Sequence, residues 1–185
     1  MDHSTRDRIL ASAKEMAQQH GLAGLSFRDL AAQVGIKSAS VHYHFPAKDD
    51  LVLALVRGQR AETAAALDAI AQGGDFHSRM GAFVALFRKH LDNGNRFCLC
   101  GMMGAEVAEL PEAARAELAG FFTMCGRWVA AQITAFGPTA GVDPQALGNM
   151  VVAGIEGAML LARVRGHTAA FDEAVNALLY LLTND

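Results

Sequence analysis

The stretch SFRDLAAQVGIKSASVHYHF, residues 26–45, decides the fold because it holds two short helical patterns separated by one glycine. Ser26 is a suitable N-cap for the first helix, which apolar spacing predicts over Phe27–Val34. Gly35 then interrupts the pattern, and a second two-turn helix is predicted over Ser38–His44. Two short helices joined by a tight glycine-containing turn are typical of a helix-turn-helix.

Helical periodicity continues on both sides of this stretch, and no sustained strand alternation or hairpin dipeptide interrupts it. The sequence therefore predicts an all-α fold, with a three-helix head followed by a helical bundle. The further predicted helices cover residues 4–20, 48–72, 76–92, 99–109, 112–136, 144–165 and 169–182.

The second short helix carries small and hydrogen-bonding side chains on the face that packing leaves exposed. Such side chains suit a major groove about 12 Å wide, where they reach base edges or phosphates. A solvated helical hairpin that binds nothing is the alternative, because short helix pairs recur in all-α proteins. The candidate contact residues are Ala39, Ser40, His42, Tyr43 and His44.

Charge is unevenly distributed along the 185 residues. Residues 1–60 carry 8 Lys and Arg against 6 Asp and Glu, a balance of +2, whereas the remainder has a balance of −5. A mildly basic head and an acidic body agree with DNA binding by the head, although the asymmetry alone is weak evidence. Hydrophobic residues at 52% exclude a disordered chain.

Composition also bears on location and cofactors. The longest charge-free run, Trp128–Val142, is too short to span a bilayer, so we expect no membrane partner and a cytoplasmic protein. Three cysteines are an odd number and do not have the spacing of a four-ligand zinc site. We predict reduced thiols, no metal, no cofactor and no catalytic site.

Three pieces of the sequence occur together and in order: RILASA from Arg8, LSFRDLAAQVGI from Leu25 and SVHYHFPAKDDL from Ser40. Over about residues 6–55 the chain resembles the N-terminal domain of tetracycline-repressor (TetR) type transcription regulators. The resemblance implies a DNA-binding domain over 1–47 and an effector-binding and dimerisation domain over 48–185. It also implies a homodimer on a palindromic double-stranded operator, acting as a repressor that a small-molecule effector releases.

The resemblance assigns roles to individual positions of the head. Ser26 and Arg28 would meet the DNA backbone, and Lys48 together with His44 would hold phosphates. Two positions depart from the common family pattern. Lys37 is the first residue of the segment KSAS, residues 37–40, where the family more often has its lysine second. His42 occupies a position where tyrosine is usual. The residues expected against the groove are Lys37, Ser38, Ala39, Ser40 and Tyr43.

The middle helices of the body concentrate aromatic and methionine side chains, which form either plain core or an effector pocket. Glu156 and Arg163 share a face of their predicted helix with apolar neighbours. A carboxylate in that position either reaches the surface, pairs inside the protein or meets a ligand. The apolar candidates for effector contact are Phe87, Met102, Phe122, Trp128 and Met159.

Cys98 lies in FCLCGMMGAEVAEL, residues 97–110, which is similar to a segment of a TetR subgroup that includes the repressor of N-ethylmaleimide reductase. In that subgroup a Gly-Cys-Leu motif precedes a helix and an Ala-Glu pair comes after it; here Phe97 replaces the glycine. The resemblance implies that Cys98 senses reactive electrophiles, and a helix N-terminus with Arg96 nearby would favour its thiolate. The alternative is a small buried thiol in the core.

Other classes of function remain alternatives. A thiol enzyme lacks a recognisable nucleophile motif, and a metal sensor would need the unusual set Cys98, Cys100 and His90. A helical module that does not bind DNA would leave residues 26–48 unexplained. A face of small residues on the penultimate helix fits either a dimer interface or a close crossing within the chain: Gly154, Gly157, Ala158 and Leu161.

Overall fold

The computed structural model describes residues 4–136 and 141–183, and its regular structure is helical throughout these ranges. The prediction of an all-α fold is confirmed. The α-helices are α1 (Thr5–His20), α2 (Phe27–Val34), α3 (Ser38–His44), α4 (Lys48–Ala71), α5 (Phe76–Asp92), α6 (Leu99–Ala105), α7 (Glu112–Phe136), α8 (Pro144–Arg165) and α9 (Ala169–Thr183).

Local capping chemistry explains where several helices begin and end. The Ser26 hydroxyl accepts a hydrogen bond from the Asp29 amide at the start of α2, and the Asp143 carboxylate accepts one from the Ala146 amide at the start of α8. Gly35 ends α2 in the left-handed region at φ +74°, a conformation that costs glycine little. The predicted ends of α2 and α3 are confirmed.

One predicted helix is shorter than expected. The sequence predicts one helix over residues 99–109, but α6 ends at Ala105 and a separate 3-10 turn covers Val107–Glu109. Pro111 disfavours helical geometry at the residue before it, and Leu110 is buried in an extended conformation. Glu106, between the two segments, bonds to a distant part of the chain.

The chain divides into two compact units. Unit 1 contains Met1–Ala61 and Leu99–Ala119, and unit 2 contains Glu62–Cys98 and Gly120–Asp185. The helices α4 and α7 contribute residues to both units. The predicted functional domains, 1–47 and 48–185, are a different division and stay a prediction.

The core of the head lies in unit 1, where α1 packs on α2 and α2 packs on α3. The Arg8 guanidinium of α1 adds a polar contact between the two helices, because it donates a hydrogen bond to the Val34 carbonyl at the end of α2. Because each fully buried large apolar side chain contributes roughly 1.5–3 kcal/mol, this small core stabilises helices that are only two turns long. Its completely or almost completely buried side chains include Ile9, Ala13, Leu30, Val41 and Phe45.

Unit 2 is organised around α8, which packs extensively on α9 and also on α5. The Arg88 guanidinium of α5 holds α9 through both oxygens of Asp172, at 2.7 and 3.0 Å. Such a paired, charge-assisted contact is directional as well as attractive. It lowers the pKa of Asp172 and raises that of Arg88, because each charge favours the other.

Close helix crossings in unit 2 depend on glycines. A Cβ added at Gly148 of α8 would lie 2.3 Å from the Gly126 carbonyl oxygen of α7, so the two backbones touch. Gly154 faces Leu178 of α9 within the chain, whereas a Cβ at Gly157 would meet open space and Leu161 is partly exposed. The small-residue face of α8 is therefore divided between an internal crossing and an open surface.

The helix α8 is also long and apolar enough to cross a membrane, with a mean hydropathy of 1.4 over its most apolar part. A core helix of a soluble protein can have the same length and apolar composition, so these two properties alone do not indicate a membrane span. Here α8 packs on α5 and α9, and its Gly148 meets the backbone of α7.

We expect Gly148→Ala to destabilise the protein by about 1–3 kcal/mol, because the new methyl group would force the α7–α8 crossing apart. Urea unfolding measures this change. Gly81→Ala is the matched control, since Gly81 lies within α5 and a Cβ there meets nothing within 4 Å. The control should gain up to about 1 kcal/mol from helix propensity. Equal effects of the two substitutions would contradict the close crossing.

Candidate nucleic-acid interface and effector site

The helix α3 presents most of its predicted contact residues to solvent. Tyr43 is 83% exposed, which is unusual for a large aromatic side chain. Ser40 and His44 are half-buried, and Val41 turns the opposite face into the core. The exposed members of the predicted set on this segment are Lys37, Ser38, Ala39, His42 and Tyr43.

Aromatic contacts fix the orientation of α3 side chains. The His42 ring meets the Phe27 ring of α2 edge-on, with centroids 4.8 Å apart. The Tyr43 and His44 rings are in edge contact at 5.2 Å. His42 is therefore held against α2, while Tyr43 projects from the head.

Side chains on α2 and α4 flank this face. Ser26 is occupied as the N-cap of α2, and Arg28 beside it is 90% exposed, with only a loose 3.6 Å ion pair to Asp29. Lys48 is exposed at the start of α4, but its Nζ also donates to the Leu22 carbonyl at 2.6 Å. This backbone contact of Lys48 was not predicted from the sequence.

The predicted effector residues do not all belong to one unit. Met102 lies in unit 1, and the others lie in unit 2. Phe87 and Met159 are buried, and Trp128 stacks on Phe83 with ring centroids 5.3 Å apart. The half-buried members are Met102, Phe122, Trp128, Glu156 and Arg163.

Glu156 is the unusual polar residue of this set. Both of its carboxylate oxygens are sealed from solvent, and among the described residues neither has a partner in ordinary hydrogen-bond geometry. Burial raises the pKa of Glu156 from 4.5 to about 7, and the neighbouring Cys98 thiol offsets part of this increase. The indole nitrogen of Trp128 is likewise buried without a partner in the described ranges. The sequence left three environments open for Glu156: the surface, a partner inside the protein, or a ligand. The first is wrong, because the carboxylate does not reach the surface.

Two buried thiols lie near this carboxylate. Cys98 is 3% exposed and directly precedes the seven-residue helix α6, while Cys125 of α7 is completely buried. Burial raises the pKa of the Cys125 thiol to about 12, and the negative charge of Glu156 adds to the effect. The proximity of Cys98 and Cys125 to Glu156 could not be predicted, because these residues are far apart in the sequence.

A metal-binding cluster is not found in the ranges 4–136 and 141–183. No three His, Cys, Asp or Glu side chains there converge in an arrangement that could hold an ion. The set Cys98, Cys100 and His90 therefore does not form such a site in this conformation.

Comparison with protein families covers both parts of the chain. Residues 9–55 match the profile described as bacterial regulatory proteins, tetR family. Residues 78–177, more than half of the chain, match the profile described as transcriptional regulator LmrA/YxaF-like, C-terminal domain. The chain belongs to the TetR family. The predicted resemblance is confirmed, and the C-terminal match extends it to the body.

Individual relatives agree with this TetR assignment. The HTH-type transcriptional repressor NemR of Escherichia coli (strain K12) is 24% identical over 125 residues, which are 63% of this chain and 61% of NemR. The match thus spans about three fifths of that curated relative. A TetR regulator from Legionella pneumophila has a similar structure, with a TM-score of 0.89, 28% identity and coverage of 96% and 97% of the two chains. The reduced form of E. coli NemR shares the fold, at a TM-score of 0.80, 19% identity and coverage of 95% of each chain.

We expect Glu156→Gln to change how stability depends on pH. The pKa of Glu156 is raised in the folded protein, so the wild type loses stability as the pH rises from 4.5 to about 7, where only the unfolded chain ionises freely. Glutamine removes this loss. The substitution should therefore stabilise the protein by about 2–3 kcal/mol more at pH 8 than at pH 5.

Urea unfolding of both proteins at the two pH values measures that difference. Asp92→Asn is the control, because Asp92 lies on the surface and pairs with Arg88. A pH-independent difference between wild type and Glu156→Gln would show that the carboxylate ionises normally in the folded state.

Proposed function

We propose that this TetR-family protein is a cytoplasmic, sequence-specific DNA-binding regulator of transcription, and that it acts as a repressor. The observation that carries the proposal is the exposed face of α3, where Tyr43 projects beside small and hydrogen-bonding side chains. A helix of this composition enters the major groove, where its exposed side chains reach base edges. Arg28 and Lys48 on the flanking helices would neutralise phosphates and set the register.

A symmetric operator requires two copies of the head, and we propose that the last two helices supply the dimer interface. Large apolar side chains remain exposed there, whereas most other large apolar side chains of the described ranges are covered. Apolar surface of this kind marks an interaction site. A two-fold dimer would place two α3 helices about one DNA turn, ~34 Å, or more apart, on a palindrome. The exposed side chains are Met150, Leu160, Leu161 and Val164 of α8, and Tyr180 and Leu181 of α9.

We further propose that a small-molecule effector binds in unit 2 near Glu156. The buried Glu156 carboxylate has only the weakly donating Cys98 thiol beside it, and the buried indole N–H of Trp128 has no partner among the described residues. Burying such groups is costly, and a ligand that donates to the first and accepts from the second removes the cost. Such a ligand shifts the DNA-binding equilibrium only if it prefers the conformation that releases DNA. Phe87, Trp128 and Met159, which belong to the same unit, would bind its hydrophobic part.

Two substitutions separate base recognition from phosphate contact. Tyr43→Ala should weaken binding to the operator by ~1–3 kcal/mol more than binding to random duplex, since it removes a base contact. Arg28→Ala should weaken both by similar factors and reduce the slope of log affinity against log salt by about one. Titration of each variant with an operator selected from a random duplex library measures both effects.

The control is the wild type on a half-site, which should bind much less tightly than the palindrome. Equal losses on operator and random DNA for both variants would contradict the roles given to Tyr43 and Arg28. A protein that sediments as a monomer at the concentrations used would contradict the two-fold site.

A second mode of release, by a reactive electrophile, is favoured by the contact between Cys98 and Glu156. The thiol sulfur would add to the activated double bond of a maleimide or quinone, and the carboxylate would accept the thiol proton and return it to the carbanion formed. This is a proposal for Cys98 because NemR is among the relatives and the cysteine resembles the one in that subgroup. The burial of Cys98 means that the reaction requires a local opening.

N-Ethylmaleimide should label Cys98 before Cys125, whose high pKa leaves almost no thiolate at neutral pH. Labelled wild type should release the operator, and Cys98→Ser should remain bound after the same treatment. Mass spectrometry and DNA titration measure the two events. Release of DNA while Cys98 stays unmodified would leave non-covalent binding near Glu156 as the mode of release.

A further inference from the structure

The backbone of Leu22 is held from two sides by charged side chains. Its N–H donates to Oε2 of Glu106 at 2.7 Å, and its carbonyl accepts from Nζ of Lys48 at 2.6 Å. Lys48 is the first residue of α4, and Glu106 comes directly after α6. All three residues belong to unit 1.

The residue before Leu22 is shaped for this contact. Gly21 ends α1 with φ +67°, and a Cβ added there would lie 2.6 Å from Oε1 of Glu106. A side chain at this position would both strain the backbone and displace the carboxylate. Gly21 therefore serves the approach of Glu106 as well as the end of the helix.

Leu22 is important because it leads from α1 into the two helices of the DNA-binding face. It begins the short 3-10 turn Leu22–Gly24, and α2 starts shortly after that turn, with α3 attached through Gly35. The conformation of Leu22 thus sets where α2 leaves α1. The carboxylate also satisfies an N–H that this turn would otherwise leave without a backbone acceptor.

Residues 97–110 contain two Ala-Glu pairs, and the contact gives a physical role to the first of them. Ala105 ends α6, and Glu106 is the glutamate of this first pair. The pair belongs to neither the predicted DNA-contacting set nor the predicted effector set. Its carboxylate reaches a residue 84 positions earlier in the chain.

We propose that Glu106 is a positioning residue for DNA recognition: by holding the Leu22 amide, it fixes the turn from which α2 and α3 extend. The inference rests on the proposed DNA-binding function. Glu106 itself touches no DNA in this proposal, and its charge would repel phosphates. Geometry and charge therefore predict opposite effects when the residue is changed.

Three substitutions of Glu106 separate the effect of side-chain length on operator binding from the effect of charge. E106D keeps the charge but shortens the side chain by one methylene, and should weaken operator binding about tenfold, as should E106A, because the hydrogen bond to Leu22 is lost. E106Q removes the charge but keeps an acceptor oxygen, and should bind within about twofold of the wild type. E109A is the matched control, because Glu109 is an exposed carboxylate that lines the same cavity as Leu22, Lys48 and Glu106; it should bind equally or slightly more tightly.

Two further measurements distinguish positioning from general destabilisation. Affinity for random duplex should not fall in E106D, because phosphate contacts do not require the exact orientation of α3. Hydrogen exchange of the Leu22 amide in the free protein should accelerate in E106D but not in E106Q or E109A, while other protected amides of α1 and α2 keep their rates. This exchange readout requires no DNA and remains available if E106A fails to fold.

The outcomes are separable. Operator binding by E106D that matches E109A, a loss in E106Q as large as in E106D, or equal losses on operator and random duplex would each overturn the inference. If the wild type selects no operator at all, the proposed DNA-binding function fails, and the inference fails with it.

Discussion

The two helices proposed to meet DNA are too short to be stable alone. The helix α2 has eight residues and α3 has seven, whereas isolated helices shorter than ~12–15 residues are marginal in water. Their stability therefore comes from burying Leu30 and Val41 in the core that they share with α1. Because that packing uses one face of α3, the opposite face is left exposed, and Tyr43 lies on it. The proposed recognition thus depends on an apolar core on the other side of the helix.

Much of this architecture could be predicted from the sequence because its signals are local. Ser26 caps α2 through the amide three residues later, and Gly35 ends it through its own backbone conformation. The Pro144 start of α8 is similarly local, since Asp143 caps the amide of Ala146. Signals of this type need only a few neighbouring residues to act, so a sequence contains them in full.

The features that sequence could not supply all join distant residues. Glu106 looks like an ordinary helical glutamate until its carboxylate is found on the amide of Leu22. The pattern around Glu156 suggested a buried carboxylate but could not place Cys98 or Cys125 beside it. The expectation that Arg96 sets the environment of Cys98 likewise overlooked an acidic neighbour from α8. The charged groups around a buried side chain are set by tertiary contacts, and the periodicity of residues along one helix does not predict those contacts.

The glycine crossing between α7 and α8 has a mechanical consequence for the same helix. The contact between Gly126 and Gly148 involves backbone atoms without side chains, so changes of pH or salt do not alter it directly. Glu156 lies eight residues further along α8, about 12 Å away at 1.5 Å per residue. A change of charge or of ligand at Glu156 therefore acts on a helix whose backbone is already held closely against α7 near its start. We expect such a change to displace α8 least at the glycine crossing, because the two backbones leave no space there.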